Sequence, residues 1–115
     1  MKLPNYDKAF VPQAKITEYL LSLSHEDGRS KARFFLEFGF SNEAWQELAQ
    51  VLQQHAVEHE LTKIESSPFG TRYVIEGIIS APDGRTPLIR AIWFVETDED
   101  TPRFVTAYPL RSRES

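Results

Sequence analysis

Apolar side chains recur at helical spacing through the N-terminal half of the chain and alternate through the C-terminal half. Behind Pro12, whose missing N–H costs nothing in a first turn, Ile16, Tyr19, Leu20 and Leu23 form one stripe, which predicts a helix over 12–23. The stretch Ser24-His25-Glu26-Asp27-Gly28 interrupts it. Phe34, Phe35 and Phe38 make a second stripe, closed by Gly39 in the position of a C-terminal cap, so a helix is predicted over 28–38. Ser41 suits an N-cap and Glu43 the positive end of a helix dipole. With Trp45, Leu48, Leu52 and Ala56 on one face, they predict a third helix over 42–57.

After His59 the period falls to two and the punctuation becomes that of hairpins. Strands are predicted over 61–66, 72–80, 88–96 and 103–108. Pro68-Phe69-Gly70 turns the first into the second, and Ala81-Pro82-Asp83-Gly84-Arg85 closes the next hairpin, because proline presets one backbone angle and glycine tolerates a positive one. Helices and strands are segregated, so the expected fold class is α+β: three N-terminal helices packed on one face of a four-stranded antiparallel meander. Alternation then directs Ile89, Ala91, Trp93 and Val95 toward the helices, and Leu88, Arg90, Ile92, Phe94 and Glu96 toward an uncovered face. In the last strand Val105 and Ala107 suit the core, leaving Phe104, Thr106 and Tyr108 on the side of Arg90.

Composition narrows the setting. The 115 residues suit one domain, expected over 1–110 with a polar, fraying tail at 111–115. Apolar residues at 41%, with eight Phe and two Trp, supply enough bulk for a core, so disorder is not expected within the domain. The absence of cysteine removes disulfides and thiolate metal sites and favours the cytoplasm. No run approaches the roughly 18 apolar residues of a membrane span, and the first residues lack a signal peptide's apolar stretch, so no membrane association is expected. A net charge of −4 provides no global field for phosphates, so a nucleic-acid contact requires a local basic patch.

One such patch is the spacing H-x-x-G-R-x-K formed by His25, Gly28, Arg29 and Lys31, with Arg33 beyond. Cations at a helix N-terminus oppose the dipole and are poor choices for stability alone, although solvated surface groups would look the same. Histidine titrates near neutrality and lysine stabilises charge on a phosphorane, so His25 and Lys31 suit metal-free phosphodiester cleavage. Thr106 and Tyr108, two apart on one strand face, suit contact with a phosphate oxygen or a base, and equally suit a plain edge strand. Arg90 suits a phosphate clamp or a cross-strand pair with Glu76 or Glu96. His55 and His59 have zinc-compatible i, i+4 spacing, but no third ligand accompanies them and the helix dipole explains them more simply, so neither metal nor cofactor is expected. Asp98, Glu99 and Asp100 read as a solvated turn, and no glycine-rich phosphate loop, nucleophile elbow or H-E-x-x-H is present.

The combination of Leu3-Pro4-Asn5, Tyr19-Leu20-Leu21, His25 with Gly28-Arg29-Ser30-Lys31-Ala32, Phe34-Phe35, Gly39-Phe40, Trp45 and Val105-Thr106-Ala107-Tyr108-Pro109 resembles an uncharacterised bacterial domain-of-unknown-function family. Its members stand alone or end larger toxin-like proteins. The closing V-T-A-Y-P strand is distantly similar to the barnase/EndoU/colicin/RelE-like ribonuclease superfamily, which places helices before an antiparallel sheet and builds its site on the sheet. That resemblance implies a metal-independent endoribonuclease acting on transfer or messenger RNA, the toxin of a toxin–antitoxin pair. His25 and Lys31 would then be the acid/base and phosphate groups, Thr106 and Tyr108 would position substrate, and Arg29, Arg33 and Arg90 would bind it. The expected partners are an RNA substrate and a cognate antitoxin or neighbouring-gene protein. The acidity favours a different class, a non-catalytic immunity or antitoxin-like partner, and the open sheet face a third, a small-ligand-binding domain.

Overall fold

The change of period at His59 marks the point where helices give way to sheet. The computed structural model describes residues 1–26 and 29–110, in which α3 (Trp45–Glu58) is followed at once by β1 (Leu61–Ser67). Upstream lie a 3-10 turn at Tyr6–Lys8, the short helix α1 (Gln13–Lys15) running into a π-helical segment (Ile16–Leu20), and α2 (Arg29–Glu37). Downstream, β2 (Gly70–Ile78), β3 (Leu88–Glu96) and β4 (Arg103–Pro109) complete an antiparallel sheet of order β1-β2-β3-β4. The expected α+β architecture is therefore present, and no described helix is long and apolar enough to cross a membrane. Gly28 and the tail 111–115 lie outside the described residues.

Each boundary has a local cause. The first helical segment stops at Leu20, where the amide of Leu21 bonds the carbonyl of Ile16 at 2.8 Å, five residues back. The helix consequently ends short of position 23, and Leu23 is 53% exposed rather than part of the core stripe. α2 closes on Gly39, whose φ of 103° is open to glycine, with the amide of Phe40 on the carbonyl of Phe35 at 3.2 Å. Ser41 Oγ accepts the amide of Ala44 at 3.2 Å, so it caps a turn preceding α3, which begins at Trp45 rather than 42. In the β2–β3 connection Gly84 takes φ 92°, Asp83 Oδ1 accepts the Arg85 amide at 3.0 Å, and the Ala81 amide reaches the Arg85 carbonyl at 2.9 Å.

The helices bury one face of the sheet. Trp93, Phe35, Ile16, Leu20, Leu48, Leu52, Ile75 and Ile89 are fully buried, and Trp93 meets Phe104 edge-on with ring centroids 5.5 Å apart. Phe104 thus belongs to the core, not to the open face where even alternation puts it, and Val105 is half-buried. The cause is a bulge in β4: Ile92 pairs with Thr106 while Trp93 pairs with Phe104, so Val105 is the additional residue and the face assignment flips on its N-terminal side. Thr106, Ala107 and Tyr108 keep the expected order opposite Ile92, Ala91 and Arg90.

Candidate functional site

Tyr19 projects from the π-helical segment, between the buried Ile16 and Leu20 that anchor it, to the sheet's β4 edge. Its hydroxyl lies 3.0 Å from Thr106 Oγ1. The His25 ring packs edge-on against the Tyr19 ring, centroids 5.0 Å apart, and Lys31 Nζ sits 5.4 Å from the same centroid. Lys15, one helical turn before Tyr19, places its Nζ at 5.4 Å as well. Thus one phenol gathers a histidine, two lysines and a threonine. Lys31 stands in the first turn of α2, within which no residue is acidic.

The other named residues form a neighbouring group on the uncovered face. Glu76 and Arg90 are register partners, as are Arg90 and Tyr108. Arg90 donates to Glu76 Oε2 from Nε at 2.7 Å and to the Tyr108 hydroxyl from Nη1 at 3.1 Å. Tyr108 and Glu76 together hold the Arg90 guanidinium above its already high ordinary pKa, so it is permanently charged. Of the two carboxylates considered for Arg90, Glu76 is the one engaged. These groups line a shallow cavity of about 440 Å³, with Lys63, Glu65 and Arg72 around it and Val74 and Ile92 at its floor. Both floor residues are buried. Thr106 and Tyr108 lie two residues apart on β4, about 7 Å by strand rise, so the Tyr19 cluster adjoins this cavity. Arg29 and Arg33 are exposed on α2, and no ion pair joins either of them to these groups among the described residues.

His55 and His59 are occupied elsewhere. His55 Nε2 pairs with the Gly77 carbonyl at 3.2 Å and His59 Nε2 with the Ile78 carbonyl at 3.0 Å, pinning the end of α3 to β2. Among the described residues, no group of three or more His, Asp or Glu side chains is placed to hold a metal ion. Burial, and secondarily the neighbouring His59, push the His55 pKa down to about 4. Its Nδ1 is buried without a hydrogen-bond partner, so a second proton there would be a stranded donor.

The residues of chemistry that the sequence pattern missed are Tyr19 and Lys15. Tyr19 reads as one member of an apolar helical stripe, and only its phenolic oxygen distinguished it from a leucine at that position. Lys15 carries no signal beyond its i, i+4 relation to Tyr19.

Comparison with known proteins follows the same lines. Residues 2–111 match the family described as Domain of unknown function (DUF6883). The chain belongs to this family. The resemblance to an uncharacterised domain family drawn from the L-P-N, H-x-x-G-R-x-K and V-T-A-Y-P segments is borne out. A search of curated proteins finds no match. Among solved structures, this DUF6883 domain is similar to a chain of a contact-dependent growth inhibition toxin–immunity protein complex from Klebsiella pneumoniae 342. The TM-score is 0.70 at 17% sequence identity, over 87% of this chain and 98% of that one. At that identity the likeness is one of fold.

Proposed function

We propose that this DUF6883 domain is a metal-independent endoribonuclease-like protein of a toxin–antitoxin or toxin–immunity system, working on RNA in the cytoplasm. The observation that carries the reading is the convergence of His25, Lys31 and Thr106 on the Tyr19 ring. The similar fold of a chain from a toxin–immunity complex supports the setting. In the reaction, His25 takes the proton of an RNA 2′-hydroxyl, whose oxygen bonds to the adjacent phosphorus. The bond from phosphorus to the 5′ oxygen breaks, and Lys31, already on the phosphate, supplies that oxygen's proton. Products are a 2′,3′-cyclic phosphate and a 5′-hydroxyl. Thr106 and Tyr108 position the phosphate, and Arg90, Arg29 and Arg33 hold flanking backbone.

The test is expression in bacteria of the wild type and of a His25→Ala/Lys31→Ala double variant, with growth and total RNA followed together. Arrested growth and fragmented RNA with the wild type alone support the reading, and intact RNA in both cultures rejects it. A second reading, an immunity-type partner that binds without cleaving, is favoured by the net charge of −4, which suits a basic protein partner. It predicts a stable complex with a neighbouring gene product and intact RNA. The 440 Å³ face cavity would in a third reading hold a small ligand, detectable as thermal stabilisation.

A further inference from the structure

Two ammonium groups share the Tyr19 ring. Lys15 and Lys31 come from different helical segments, yet each Nζ lies 5.4 Å from the one ring centroid, so the two lie within twice that distance of each other. Lys15 is the last residue of α1 and stands four residues before Tyr19 in the π-helical segment that follows, whereas Lys31 reaches the ring from α2. Lys15 is half-buried and forms no ion pair among the described residues. A scissile phosphodiester carries one negative charge, which Lys31 already answers. A second ammonium group at the same ring leaves a place for a second anion.

We propose that Lys15 is a phosphate-binding residue for a second, adjacent phosphate of a single-stranded oligonucleotide, with Tyr19 as the spacer that sets the distance between the two phosphate positions. This rests on the ribonuclease reading and deepens it: the substrate class is a chain of at least two consecutive phosphodiesters, not an isolated one. Lys31 holds the phosphate that reacts, with His25 beside it as the base, and Lys15 holds the neighbouring phosphate and takes no part in proton transfer. Contact with the ring favours the position of each ammonium group, which lowers the ordering cost at binding.

The experiment is fluorescence anisotropy with a labelled 2′-O-methyl RNA oligonucleotide, which has no free 2′-hydroxyl to attack, titrated at several salt concentrations against wild type, Lys15→Ala and Lys15→Arg. A 2′-O-methyl dinucleoside with one phosphate, read by calorimetry, is the second probe. The expected result is several-fold weaker binding of the oligonucleotide by Lys15→Ala. The slope of log affinity against log salt should be smaller by about 0.7, with both effects restored in Lys15→Arg and the one-phosphate probe unchanged. Equal oligonucleotide affinity and equal slope in wild type and Lys15→Ala overturn the assignment while leaving the parent reading intact. No oligonucleotide binding by the wild type overturns both. If Lys15→Ala loses its fold by circular dichroism, Lys15→Met, which retains the stem over the ring, is read by the same criteria.

Discussion

Acidification should destabilise this fold through His55, and the size of the effect follows from its surroundings. The ring is 1% exposed, its Nε2 is committed to the Gly77 carbonyl, and its Nδ1 has no partner to receive a second proton. Burial and the adjacent His59 lower its pKa from 6.5 to about 4. The unfolded chain therefore takes up the proton first as pH falls. Stability from this group is complete above the unfolded value and is lost progressively down to the folded value, below which the loss is constant. Relative to pH 8 the loss is about 2 kcal/mol by pH 5 and about 3 kcal/mol at the low-pH limit. With an urea dependence of about 2 kcal/mol/M, the pH 5 loss moves the unfolding midpoint by roughly 1 M. The assay is urea unfolding of wild type and His55→Gln at pH steps from 8 to 4. The wild type should lose its advantage over the variant between pH 6.5 and 4. Parallel pH profiles for the two proteins would refute the burial argument, because a ring that titrates alike in both states contributes no slope.

Two further outcomes are expected from the contacts that hold the site and its scaffold. Tyr19→Phe removes the hydroxyl facing Thr106 and should cost about 1 kcal/mol, read as a Tm about 4 °C lower, while an unchanged Tm would mean that the bond contributes nothing in solution. Gly77→Ala would put a Cβ 2.5 Å from atoms of the His59 ring, so it should destabilise by about 1–3 kcal/mol, and a His59→Ala background should remove most of that cost in thermal melts.

Much of the fold was legible because its signals are local. The alternation in β3 put Ile89, Ala91 and Trp93 inward, and the Pro82-Asp83-Gly84 turn carried its own backbone requirements. What failed was anything set by a partner element. The β4 bulge at Val105 accompanies the packing of Phe104 beside Trp93, and no residue in β4 announces it; a strict period of two therefore exchanged Phe104 and Val105. The π-helical turn likewise shortened the first helix and exposed Leu23. In the candidate site the H-x-x-G-R-x-K spacing drew attention to His25 and Lys31, since cations at a helix start are locally anomalous. Tyr19, the residue on which they meet, was hidden among its apolar neighbours. Arg90 and Tyr108 were singled out from the strand pattern, but their mutual bond and the choice of Glu76 over Glu96 depend on cross-strand register.

The functional reading turns on the bond that breaks and the ends that it leaves. Single-turnover incubation of purified protein with a defined RNA in the presence of a chelator, with product termini identified by mass spectrometry, measures both. Wild type should yield 2′,3′-cyclic phosphate and 5′-hydroxyl ends, and His25→Ala at least 100-fold less of them, the low end of what a positioned general base contributes (~10²–10⁴). Uncut RNA, 3′-hydroxyl and 5′-phosphate ends, or undiminished cleavage by His25→Ala would each contradict it.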